Sequence, residues 1–164
     1  MLGFITCTEK GAADRLLARF ADRLVAAGRP VVGMVRADVP QRFDCEMHLR
    51  LLPDLGVRSI SQALGTEAEA CSLDAGALEE VVAQVNRALD MAEPGTVVIL
   101  NKFGKQEAAG RGCRDLIARA LETGLPVLIS VPPETRAEFD AFSAGLGEEL
   151  APEMDALESF VAGL

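Results

Sequence analysis

The chain has 164 residues, 49% of them hydrophobic and 25% charged, with a formal charge of −9. That length suits one domain over 1–164 with a sizeable core, and the apolar content excludes a disordered chain. The acidity argues against a nucleic-acid coat or a polybasic membrane surface.

The apolar runs are short, and none approaches the roughly 20 residues needed to span a bilayer. The opening "MLGFITCTEKG" has no basic flank and reaches charge too early for a signal peptide. A cytoplasmic protein is expected.

Four short β-branched runs, Leu2–Cys7, Val31–Val35, Thr96–Leu100 and Val127–Val131, lack strict alternation. This is the pattern of strands buried on both faces of a parallel sheet. After the first run, Leu16, Phe20 and Leu24 recur at steps of four, and Arg15, Arg19, Asp22 and Arg23 fill the other face. This predicts an amphipathic helix, stopped by Gly28 and Pro30.

The second run leads into alternation at Cys45, Met47 and Leu49. A turn at Pro53-Asp54 and Gly56 and a returning "VRSIS" follow, which predicts a small antiparallel insert around 43–62. A helix is expected from about Asp74, a suitable N-cap, through Leu78, Val81, Val85 and Leu89 to Met91. Pro94-Gly95 breaks it.

The third run enters "NKFGKQEAAGRGCRD", residues 101–115, where Lys102, Lys105, Arg111 and Arg114 face only Glu107 and Asp115. A helix is expected from near Cys113 through Leu116, Ile117 and Ala120 to Gly124. After the fourth run, Pro132-Pro133 precedes a helix with Phe139, Phe142 and Leu146 on its inner face. A last helix carries Met154, Leu157, Phe160 and Val161. Strands alternating with helices predict a three-layer α/β fold with a mostly parallel sheet.

Ligands of such sheets bind at the carboxyl ends of the strands. The loop "CTEKGAAD" after the first strand lies where a phosphate loop would. It has Lys10 and Gly11 in the reversed order, followed by Ala12, Ala13 and Asp14, so the lysine and the hydroxyl that reach phosphate and magnesium are absent. A plain strand–helix turn is the alternative. Cys7 lacks the arginine that phosphatase loops place six positions on, since position 13 is alanine.

At the end of the third strand, Asn101 and Lys102 replace the acids that would hold magnesium. The exchange suits an anion without a metal. Lys102, Lys105, Arg111 and Arg114 offer donors, and Gly104, Gly110 and Gly112 allow the main chain to present amides. The helix starting near Cys113 would aim its N-terminus at the same place. A solvated basic surface loop is the bland alternative.

The four cysteines are widely spaced, with no CxxC pair, and His48 is the single histidine, so zinc-ligand spacing is absent. The cysteines read as small core residues and His48 as a surface histidine. Glu67, Glu69, Glu79, Glu80, Glu148 and Glu149 read as solvated helix faces.

The chain resembles an uncharacterised bacterial family, a domain of unknown function often encoded beside molybdate-transport or molybdenum-enzyme genes. The likeness runs through "LLARFADRLVAAG", "VVGMVRADV", "ISQALG", the C-x-LD-x-GAL element at Cys71–Leu78 and above all "NKFGKQEAAGRG". That family is similar in turn to thermophile-type P-loop nucleoside-triphosphatases, which carry "DEIGKME" after the equivalent strand. Gly104, Lys105 and Glu107 match that pattern, whereas Asn101 and Lys102 stand in place of its acids.

The resemblance implies a P-loop fold with its hydrolytic parts lost or rebuilt. The expected ligand is a nucleotide, phosphate or an oxyanion such as molybdate, with no metal. It would be held by Lys10, Gly11, Asn101, Lys102, Gly104, Lys105, Glu107, Arg111 and Arg114. An atypical triphosphatase using Glu107 or Asp38, and a regulatory or scaffold protein docking a molybdenum-pathway partner, remain open. A homo-oligomer is compatible with either, and neither nucleic acid nor membrane is an expected partner.

Overall fold

Four apolar runs of the sequence form the centre of one sheet, because each is covered on both faces. The computed structural model describes residues 1–40, 46–63 and 71–162. In chain order the elements are β1 (Leu2–Ile5), α1 (Ala12–Ala26), β2 (Val31–Arg36), β3 (His48–Leu52), β4 (Gly56–Ser59), β5 (Ser61–Ala63) and β6 (Cys71–Leu73). They continue with α2 (Ala75–Asp90), β7 (Val97–Lys102), α3 (Lys105–Ala108), α4 (Arg114–Glu122), β8 (Val127–Ser130), α5 (Arg136–Ser143), β9 (Gly147–Glu149) and α6 (Met154–Ala162).

The main sheet has the order β4-β3-β2-β7-β8-β1-β9. The β2–β7, β7–β8, β8–β1 and β1–β9 pairs are parallel. The antiparallel β3–β4 hairpin extends one edge. β5 and β6 make a separate antiparallel pair. The expected insert is therefore present, although its residues 43–45 lie outside the described ones, as do Glu67 and Glu69.

Alternate strand residues enter two cores. Val98, Leu100 and Ile129 pack with Val81, Val85, Leu116 and Phe139 of α2, α4 and α5. Ile99 and Leu128 pack with Leu17, Phe20, Leu157 and Phe160 of α1 and α6. Period-2 geometry with apolar residues at every position requires this two-sided cover. Asp74 caps α2 as expected, its Oδ1 accepting from the Ala77 amide at 3.0 Å.

Three expectations change. Leu146 is not on a helix face. α5 stops at Ser143, Ala144 turns left-handed at φ 49°, and Leu146 is 73% exposed before β9. β9 reads GEE, so apolar content could not reveal it; main-chain pairing to β1 makes it a strand. His48 is half-buried in β3 rather than on the surface, with a buried Nδ1 that has no hydrogen-bond partner among the described residues. Among the described residues no helix is long and apolar enough to cross a membrane.

Candidate functional site at the carboxyl ends of the strands

The parallel strands deliver the β1–α1 loop, the end of β7 and the end of β8 to one edge of the sheet. Gly11 takes φ +75° to turn the chain into α1, and the Ala12 amide donates to the Glu9 carbonyl at 3.2 Å. Asp14 lies in the first turn of α1. Its Oδ1 accepts from the Ser130 hydroxyl at 2.8 Å, and that hydroxyl is also 2.6 Å from the Asn101 carbonyl oxygen. Ser130 is paired in register with Lys102. One hydroxyl at the end of β8 thus joins α1 to β7 and brings Lys10 and Gly11 to the same mouth as Asn101 and Lys102.

Thr6 Oγ1 and Asn101 Oδ1 are buried at these strand ends without a hydrogen-bond partner among the described residues. Burial raises the pKa of Cys7, and Glu9 and Asp14 add to the rise while Arg15 opposes it. A thiol held protonated is a poor nucleophile.

Two residues here escaped the sequence reading. Ser130 is one small hydroxyl in an apolar strand, and spacing carries no sign of its bridging role. Arg36 ends β2, and its Nη1 would lie 3.1 Å from a Cβ built on Gly11. A charged residue closing a buried run at the functional end of the sheet is the signal that could have found it.

The basic segment divides. Glu107 is 5% exposed, and its Oε2 and Oε1 accept from the Gly104 and Cys113 amides at 2.9 and 3.0 Å. Glu79 of α2 accepts from the Gly112 amide at 3.3 Å, so Glu79 does more than face solvent. The amides expected to form a nest at the start of α4 therefore already donate to the chain's own carboxylates. Those groups supply the negative charge that a helix N-terminus favours.

Arg114 stacks 4.6 Å from the centre of the Phe142 ring, and its Nη1 donates to the Glu107 carbonyl at 3.3 Å. Arg111 is exposed, as are Lys102 and Lys105. Of the nine residues singled out in the sequence, Lys10 and Gly11 follow β1 and Asn101 and Lys102 end β7, with the Lys102 side chain alongside Gly104. Gly104, Lys105 and Glu107 belong to α3 and its cap. Arg111 and Arg114 lie at the approach to α4, on the layer that packs against α2 and α5. A crevice of about 380 Å³ at the opposite end of the sheet is lined by Leu89, Asp90, Arg119 and Leu125, and there Arg119 is ion-paired with Asp90.

Among the described residues no three His, Cys, Asp or Glu side chains are placed to hold a metal ion.

The strand order and the loop leading into α1 define a P-loop nucleoside-triphosphatase type of fold. The solution structure of a human cancer-related nucleoside triphosphatase superposes with a TM-score of 0.69 at 16% identity, over 99% of this chain and 96% of that one. Within that fold the chain belongs to the family described as "Protein of unknown function (DUF2478)", which it matches over residues 2–160. It is also 38% identical over 149 residues to the molybdenum import ATP-binding protein ModC 2 of Bradyrhizobium diazoefficiens. The match takes in 90% of this chain but only 16% of that relative's length.

Proposed function

We propose that the protein is a non-hydrolytic binding protein of P-loop ancestry, accessory to molybdenum handling, that takes a small anion or nucleotide at the mouth formed by Lys10, Gly11, Asn101 and Lys102. The observation that carries this reading is the donor set there. No lysine, serine or threonine follows Gly11 in Ala12-Ala13-Asp14 to contact phosphate or bind a metal, and Asn101 and Lys102 end β7 where an acid would hold magnesium. Asp14 is engaged by Ser130. These residues do not fit a magnesium–nucleotide centre.

Glu107 does not serve the alternative of an atypical triphosphatase, because both its oxygens hold main-chain amides. Losing metal and water-orienting groups removes the main electrostatic stabilisation of phosphoryl transfer. The cations stay useful for binding: each charge-assisted contact contributes roughly 1.5–3 kcal/mol. Three such contacts sum to roughly 4.5–9 kcal/mol before ordering and desolvation costs, which places the affinity weaker than micromolar, about −8 kcal/mol. The link to molybdenum rests on the relative named for molybdenum import. That relative carries the matching segment inside a much longer chain, which favours a docking or regulatory module as the second reading.

Calorimetric titration with ATP, GTP, phosphate, molybdate and tungstate tests the proposal. Binding of at least one of them, weakened by Lys102→Ala, is expected. No heat with any of them contradicts it, and co-purification of a partner with an anion-silent protein would favour the docking reading.

A further inference from the structure

Two guanidinium groups meet over one glycine. A Cβ built on Gly11 would lie 3.1 Å from Nη1 of Arg36 and 3.3 Å from Nη1 of Arg15. The two cations therefore stand no further apart than those two distances laid end to end. Like charges repel, and an exposed arginine left to itself turns toward water.

Arg15 has a carboxylate to hold it, Glu9 at 2.5 Å. Among the described residues Arg36 has no ion-pair partner. The nearest further acid on α1, Asp14, has its Oδ1 on the Ser130 hydroxyl. With Lys10 exposed beside Gly11, Lys10, Arg15, Arg36 and Lys102 bring four positive charges to this end of the sheet against three on Glu9, Asp14 and Asp38. A side chain on Gly11 would occupy the gap between the two guanidinium groups. A guanidinium presents a planar fork of donors that matches two oxygens of a tetrahedral anion.

We propose that Arg36 is an anion-binding residue of this mouth and that, with Arg15, it clamps a dianionic tetrahedral group outside Gly11 without a metal ion. The group is either a free tetrahedral oxyanion or the terminal phosphate of a phosphorylated ligand. The inference rests on the reading of the strand ends as an anion site, and adds to it the residue and the charge class of the ligand.

Inorganic phosphate, molybdate and ATP are titrated separately, in EDTA, into the wild-type chain and into Arg36→Ala, Arg36→Lys, Lys102→Ala and Arg87→Ala. Arg36→Ala is expected to weaken whichever probe binds by at least tenfold. Arg36→Lys should recover only part of the loss, because a point charge replaces the fork. Arg87→Ala, an exposed change on α2, should leave affinity unchanged. Binding by inorganic phosphate or molybdate identifies a free oxyanion, and binding by ATP alone identifies a phosphorylated ligand. Wild-type affinity in a folded Arg36→Ala, with Lys102→Ala weakened, overturns the clamp and leaves the anion site standing. No binding of any probe to the wild-type chain overturns both.

Discussion

Glu107 is the buried charge of the basic segment, 5% exposed. In the sequence it belongs to a basic, glycine-rich segment and reads as part of a ligand site. In the structure it is a buried carboxylate joining the cap of α3 to the cap of α4 through the Gly104 and Cys113 amides. Gly104 has no side chain to complete a capping box with Glu107, so the spacing alone did not show the structural role. Nor did it show the direction of the carboxylate, because only the fold brings Cys113 back onto it. Glu107→Ala should leave these buried amides unsatisfied and cost about 2–4 kcal/mol of stability in urea denaturation.

Cys113 beside it gives a pH prediction. Burial raises its pKa well above 9.0, and the neighbouring Glu107 charge adds to the rise. The folded chain keeps this proton when the unfolded chain has lost it. Stability is thus fully present below pH 9 and falls as pH rises further, by up to about 1.4 kcal/mol per unit from this group. Denaturation midpoints at pH 8 and pH 10 should separate more for the wild type than for Cys113→Ala.

At the scale of elements, the four central strands and the helices after them were legible because burial on both sides leaves continuous apolar runs and four-residue steps. α3 and β9 were not. Each is short, and hydrogen bonds formed only in the folded chain define them. Gly33 marks a third kind of position. It lies in β2 at φ +141°, where an added Cβ would stand 1.9 Å from the Ile99 carbonyl oxygen of β7. Nothing flexible can move aside, since the obstructing atom is main chain in the sheet centre. Gly33→Ala should destabilise the fold by about 3 kcal/mol or more, seen as a large drop in melting temperature. Gly28→Ala, also at positive φ but with nothing within 4 Å of the added atom, should cost about 1 kcal/mol.

At the scale of the whole molecule, an acidic chain of charge −9 keeps Lys10, Arg15, Arg36 and Lys102 at the carboxyl ends of its parallel strands. The sequence showed half of this, through Lys10 and Lys102. It could not show Arg36 reaching Gly11, because β2 and the β1–α1 loop meet only once α1 has crossed the sheet. An exposed cationic mouth on an anionic body implies affinity that weakens as salt rises.

The central claim is anion binding without magnesium or turnover. The direct measurement is calorimetric titration of phosphate, molybdate and ATP in EDTA, with free phosphate assayed afterwards in excess magnesium. Metal-independent binding of at least one of them and no phosphate release are expected. Binding that needs magnesium, accompanied by steady release of phosphate from ATP, would contradict it.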